Sequence, residues 1–214
     1  MKKFKFIFAI MLLFQSNVFA SGKPVYQEDE YRVTLDMIKS SHVFKYSFMP
    51  FHSVIFKNNT TNEVLFMELG VNYRKGKESH FYYKNGLPDE LIDSYNTLFK
   101  LNNVTNSSDC LAMIETEIQK AKNIDEKYFK TKKGLHLAST KEEAISIYGK
   151  PNSIIEKNGI ELLSWNEWRD GREETDPQKR LELLKKGKIG FGFGLEIYFR
   201  DEKAYFIYMW HPVP

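Results

Sequence analysis

"KGLHLASTKEEAISIYGKPNSI", residues 133–154, decides how the C-terminal half of this chain is read. Gly, Lys, Ser and Thr fall close together in it, so it either cradles a phosphate or starts and stops a helix. A phosphate loop needs G-x-x-x-x-G-K followed by Ser or Thr, whereas Lys150 is followed by Pro151. The phosphate reading fails, and helix grammar accounts for nearly every residue. Thr140 and Glu143 stand at capping-box spacing, as do Ser139 and Glu142 one residue earlier. The hydroxyl accepts from a backbone N–H that has no partner inside the helix, while the Glu reaches back. Ala144, Ile147 and Tyr148 then lie along one face, Gly149 closes the helix, and Pro151 prevents its continuation.

Strands follow this helix: "GIELLSWNEW" at 159–168, "GLEIYFR" at 194–200 and "KAYFIYMW" at 203–210, the last two joined by "DE". Alternation sorts their side chains into faces. Leu195, Ile197 and Phe199 point one way, with Glu196, Tyr198 and Arg200 on the other. Tyr205, Ile207 and Met209 alternate with Phe206, Tyr208 and Trp210, so both faces of that strand are apolar. One face can pack on the helix; the other must meet the N-terminal half, a second copy or a partner. Between the first two strands lies a long insertion, 169–194, in which residues 177–186 read as a short amphipathic helix with Leu181 and Leu184 on one side. Its "GFGFG" precedes a strand rather than a helix and reads as a loop or bulge, not a nucleotide site.

Gly134, Leu135, Leu137, Thr140, Glu143, Ile147, Tyr148, Gly149 and Pro151, with the strands after them, resemble a family of exported bacterial proteins. It includes the small outer-membrane-assembly lipoproteins (BamE/SmpA-like) and the β-lactamase-inhibitor-protein-like modules. Ala138 stands where a Gly is common in that pattern. The resemblance covers little more than residues 128–210. It implies a helix packed on a three-stranded antiparallel sheet, and a role in binding proteins rather than in catalysis.

The N-terminal half is rich in β-prone runs: "YRVTLDMI" (31–38), "HVFKYSFM" (42–49), "HSVIFK" (52–57), "EVLFMEL" (63–69) and "SHFYYK" (79–84). The polar turn "NNTTN" between the third and fourth signals a hairpin. Helical spacing then recurs in "PDELIDSYNTLFKL" (88–101) and "SDCLAMIETEIQKA" (108–121). The fold expected is therefore α+β: antiparallel sheet with helices packed on one face, ending in the helix-plus-three-strand module. The division expected is a signal peptide at 1–20, a β-rich region with two helices at 21–127, and the module at 128–214.

Residues 1–20 carry Lys2, Lys3 and Lys5, an apolar run from Phe6 to Phe14, and small Val18 and Ala20 before Ser21. This reads as a cleavable secretory signal, since an apolar core of about nine residues is too short for a span of about twenty. No Cys follows the cleavage site, so no lipid anchor is expected, and no other stretch is apolar enough to cross a bilayer. The chain should be exported, to periplasm or medium. It holds 31 Lys+Arg against 28 Asp+Glu, and removal of three signal lysines leaves it formally neutral. The pI of about 8.7 thus belongs to the precursor and argues for no nucleic-acid partner. Cys110 is the sole cysteine; it reads as a buried, inert thiol, and no internal disulfide is possible.

Catalytic signatures are weak. There is no G-x-S-x-G, and the histidines (His42, His52, His80, His136, His211) never stand at H-x-x-x-H or H-x-H spacing, so neither a metal nor another cofactor is expected. The leading expectation is a non-enzymatic, exported module that binds a protein partner. Its candidate contact residues are Tyr198, Tyr208, Trp210, Trp165 and Trp168, together with the insertion. One alternative is a hydrolase-like enzyme built on His52, His80 and Glu68. A second is glycan binding through Trp165, Trp168 and Trp210.

Overall fold

The polar residues at 58–62 reverse the chain between two apolar runs, and the Asn58 side chain builds the turn: its Oδ1 accepts from the backbone N–H groups of Thr60 (2.8 Å) and Thr61 (3.1 Å). The strands either side are β2 (His52–Asn58) and β3 (Glu63–Leu69), paired antiparallel along their full length. The structure, a computed structural model, describes residues 29–45, 51–70, 80–86, 107–157, 159–167, 178–179, 182 and 193–210. The sequence-predicted signal peptide, the helix at 88–101, Trp168 and His211 lie outside them.

To this hairpin the sheet adds β1 (Val43–Phe44) beyond β2, and β4 (His80–Gly86) beyond β3. The C-terminal strands are β6 (Ser153–Lys157), β7 (Ile160–Glu167), β8 (Phe193–Arg200) and β9 (Lys203–Trp210). The order across the sheet is β1-β2-β3-β4-β9-β8-β7-β6, all antiparallel, and β5 (Lys122–Asn123) lies parallel to β2. The α+β, antiparallel class read from the sequence is the class observed. The C-terminal part, however, has four strands rather than three, and β4 pairs with β9 to make both halves one nine-stranded sheet.

Each face has its own apolar layer. The first holds Val54, Phe56, Leu65, Met67, Tyr83, Leu163, Trp165, Leu195, Ile197, Ile207 and Met209. Two helices pack there: α1 (Leu35–Lys39) through Ile38, and α3 (Lys141–Tyr148) through Ala144 and Tyr148. The second face holds Phe44, Ile55, Val64, Phe66 and Phe206, and receives Ile114 of helix α2 (Ser107–Lys120), which packs over β2. Helices on both faces explain why β2 and β3 are buried almost without alternation. Glu117 of α2 lies 2.8 Å from His42 Nε2 and 2.9 Å from Lys120 Nζ, tying that helix to the approach to β1.

Helix α3 is bounded as the sequence directs. Thr140 Oγ1 accepts from Glu143 N at 3.2 Å, and Glu143 Oε2 accepts from Thr140 N at 2.8 Å. Gly149 closes the helix at φ 76°, and its carbonyl accepts the Trp165 indole N–H at 2.9 Å. The β-prone run at 31–38 departs from expectation. Thr34 caps a helical turn by accepting from Met37 N, and only Tyr31 bridges, to Thr131. A cap is a local hydrogen bond that β-propensity does not register. Ahead of it, buried Asp29 receives Tyr148 Oη at 2.5 Å, Glu30 N at 2.9 Å and Lys133 N at 3.2 Å, anchoring the leading segment to α3 and its approach loop.

Two glycines permit close approach on the second face. A Cβ on Gly86 would stand 2.6 Å from Phe206 Cδ2, and one on Gly194 only 2.0 Å from Trp210 Cζ2. The rings of Phe206 and Trp210 therefore lie down across the neighbouring strands. Gly194→Ala should destabilise the protein by about 1–3 kcal/mol, because a rigid indole must lift away. In a Trp210→Ala background the same Gly194→Ala change should cost little further, in denaturant unfolding followed by circular dichroism. Additive costs from the two changes would show that the ring does not lie on Gly194.

Candidate functional site

Cross-strand register assembles an aromatic and charged array on the second face. One row runs Ile55, Phe66, Lys84, Tyr208, Glu196, Ser164 across β2, β3, β4, β9, β8 and β7. The next runs Ser53, Glu68, Tyr82, Trp210, Gly194. A third carries Phe206, Tyr198, Leu162 and Ile155. Opposite, diagonal and same-strand neighbours on one face of a sheet come within reach of aromatic side chains. Tyr82 and Tyr208 stack at 5.9 Å and 7°, Tyr208 meets Trp210 at 5.2 Å, and Tyr198 meets Phe206 at 5.3 Å.

Lys84 sits at the centre with 1 % of its surface exposed. Its Nζ is 3.5 Å from Glu68 Oε1 and lies over three rings: Tyr208 at 5.4 Å, Phe66 at 5.5 Å and Tyr82 at 5.9 Å. Burial pulls the Lys84 pKa down, and Glu68 beside it opposes that shift. Burial likewise pushes up the Tyr208 and Tyr82 hydroxyls, and the Glu68 charge adds to both effects. Glu196, half-buried one strand beyond Tyr208, has its pKa raised by burial, with a hydrogen bond from Tyr198 pulling the other way.

The candidate contact residues separate. Tyr198, Tyr208 and Trp210 share the second face, as alternation anticipated, and each is partly exposed. Trp165 is a correction: it faces the first layer with 0 % exposure, packed 5.8 Å from the Tyr148 ring and bonded to Gly149. It is spent on the core and offers nothing to a partner or a glycan. Its spacing from Leu163 carried that signal, since residues two apart in a strand share a face.

The His52, His80 and Glu68 constellation is also corrected. His52 pairs with Leu69 while Ser53 pairs with Glu68, so His52 and Glu68 project from opposite faces, and His80 is in backbone register with Leu69. Glu68 turns instead to Lys84. Among the described residues, no group of three His, Cys, Asp or Glu side chains is placed to hold a metal. His136 Nδ1 approaches Ser139 Oγ at 3.1 Å, but that hydroxyl is buried and also accepts from His136 N at 3.3 Å, holding a turn.

Two features escaped sequence reading. Lys84, Glu68 and Glu196 are each single charges flanked by residues that belong in strands, which is the available signal for a charge held on a covered face. Strand β6 was missed because Ile154 and Ile155, on opposite faces, are both exposed, at 58 % and 53 %. Among the described residues, no helix is long and apolar enough to cross a membrane. Comparison with family models, curated proteins and solved structures gives no match for this chain.

Removing one member of the Lys84–Glu68 pair deprives the other, buried one of an opposite charge 3.5 Å away. Lys84→Met alone should cost about 3–5 kcal/mol, and Lys84→Met with Glu68→Leu far less, in denaturant unfolding. Lys84 has a folded-state pKa below the usual 10.5 of the unfolded chain. The unfolded chain then binds the extra proton between those two values, so stability rises with pH across that window. The double variant should lose that slope.

Proposed function

We propose that this protein is an exported, non-enzymatic module that binds a protein partner through the ring array of β4, β8 and β9. The observation that carries this reading is the placement of Tyr82, Tyr208 and Trp210 in mutual contact yet partly exposed, on the face that α2 covers over β2. Aromatic anchors of this kind supply large contact area at little entropic cost and dominate binding surfaces. A glycine beneath Trp210 keeps its ring flat, which suits a docking plane better than a pocket for chemistry.

Export rests on residues 1–20, whose basic start, apolar core and small cleavage-site residues have the form of a secretory signal. The resemblance of residues 128–210 to envelope modules of exported bacterial proteins points the same way. A binding role also fits the absence of nucleophile and base motifs from the sequence.

Affinity capture from the cell envelope, with the tagged wild type and with Trp210→Ala, tests the reading. The wild type should retain a partner that the variant loses by at least tenfold, while thermal unfolding shows the variant still folded. Identical retained proteins from both would remove the ring array as the contact surface.

A further inference from the structure

The central row of the second face contains one cation site that is filled and one that is not. At the filled one, Lys84 Nζ lies over Tyr208, Phe66 and Tyr82 with the Glu68 carboxylate 3.5 Å away. Across Tyr208 from Lys84 the same materials recur: Glu196 directly opposite Tyr208, with Tyr198 and Phe206 in the adjoining row. Among the described residues no ammonium or guanidinium stands within ion-pair distance of Glu196, whose carboxylate accepts one hydrogen bond, from neutral Tyr198 Oη at 3.3 Å. Burial raises the Glu196 pKa with no described cation to offset it. A partly desolvated carboxylate beside aromatic side chains is costly alone and favourable once a cation arrives.

We infer that Glu196, with Tyr198 and Tyr208, forms a site for a lysine or arginine side chain of a basic partner segment. This deepens the proposed function and rests on it, since it gives the chemistry of what docks on the ring array. The cation would pair with Glu196 and lie against the Tyr198 and Tyr208 rings, as Lys84 pairs with Glu68 and lies against Tyr208 and Tyr82. Glu196, Tyr198 and Tyr208 are each partly exposed to solvent.

The test titrates the purified protein with pentalysine and with fully acetylated pentalysine by calorimetry. Wild type should bind the charged peptide and not the acetylated one. Glu196→Gln should weaken pentalysine binding at least tenfold. Glu156→Gln, which removes an exposed carboxylate on β6, should leave it unchanged. Equal losses from the two variants would mean diffuse charge attraction, and no loss from Glu196→Gln, or binding of the acetylated peptide, would also overturn the inference.

Folding is checked independently. With the folded-state Glu196 pKa raised above 4.5, stability falls as pH rises through that window, so Glu196→Gln should be at least as heat-stable as wild type at pH 7. In the envelope capture, partner loss with Trp210→Ala but full retention with Glu196→Gln sinks the cation site and leaves the proposed function standing. Unaltered capture with Trp210→Ala sinks that reading, while the pentalysine result still judges Glu196.

Discussion

The second face depends on β9 being held between β4 and β8. Pairing of Tyr82 with Trp210, Lys84 with Tyr208 and Gly86 with Phe206 joins two regions of sequence that local signals treat as separate. Without that seam Lys84 would stand at a sheet edge, Tyr208 would lack its stacking partner, and the row from Ile55 to Ser164 would not exist. The glycines complete the constraint. Gly86 and Gly194 sit beside β9 on either side, and each yields the space its aromatic neighbour occupies. Rings that would otherwise stand up from the sheet lie on it, covering backbone that a side chain would normally cover.

The opposite face shows what the same strands do when nothing is reserved. There Leu195, Ile197, Ile207 and Met209 belong to one buried apolar layer with Ala144 and Tyr148 of α3. Several polar groups there are paired, while Tyr31 Oη and Asn85 Oδ1 are buried without a hydrogen-bond partner. Tyr148 donates to Asp29, Trp165 donates to Gly149, and Asn85 Nδ2 donates to the Phe129 carbonyl. Satisfied donors and buried apolar surface stabilise a fold and leave no handle for a ligand. On the second face the Ser53 hydroxyl is likewise buried without a hydrogen-bond partner, Lys84 is held under rings, and Glu196 is half-buried. Strained electrostatics of this kind concentrate where a protein does something besides fold.

Much of this was legible in local sequence because the forces concerned are local. The capping box of Thr140 and Glu143, the Gly149 stop, the turn at Asn58 and the period-two alternation of β8 and β9 each involve residues a few positions apart. Alternation also placed Tyr198, Tyr208 and Trp210 on one face. It equally placed Trp165 with Leu163, but an aromatic residue counted by type rather than by parity is read as surface. Helix α1 was hidden because Thr34, β-prone by composition, acts through a cap. Strand β6 was hidden because an edge strand with Ile154 and Ile155 both exposed has no burial rhythm to detect. The Lys84–Glu68 pair was out of reach for a different reason: it forms only when β4 closes against β3 and β9, which no local window contains.

A lysine buried under three rings looks at first like a waste of stability, since two well-packed apolar side chains would fill the same volume without desolvation. Its placement gives it a use. Lys84 stands against one side of Tyr208 and Glu196 against the other, so a positive group and a negative one flank the same ring at neighbouring strand positions. Electrostatic order of that kind fixes which sign of charge each part of the face accepts. On the proposed reading, a docking cation would be repelled near Lys84 and drawn in beside Glu196. On that same reading, two apolar residues in place of Lys84 and Glu68 would remove this difference in charge along the face. Specificity by exclusion is thus a physical reason to hold a charge pair under an aromatic surface.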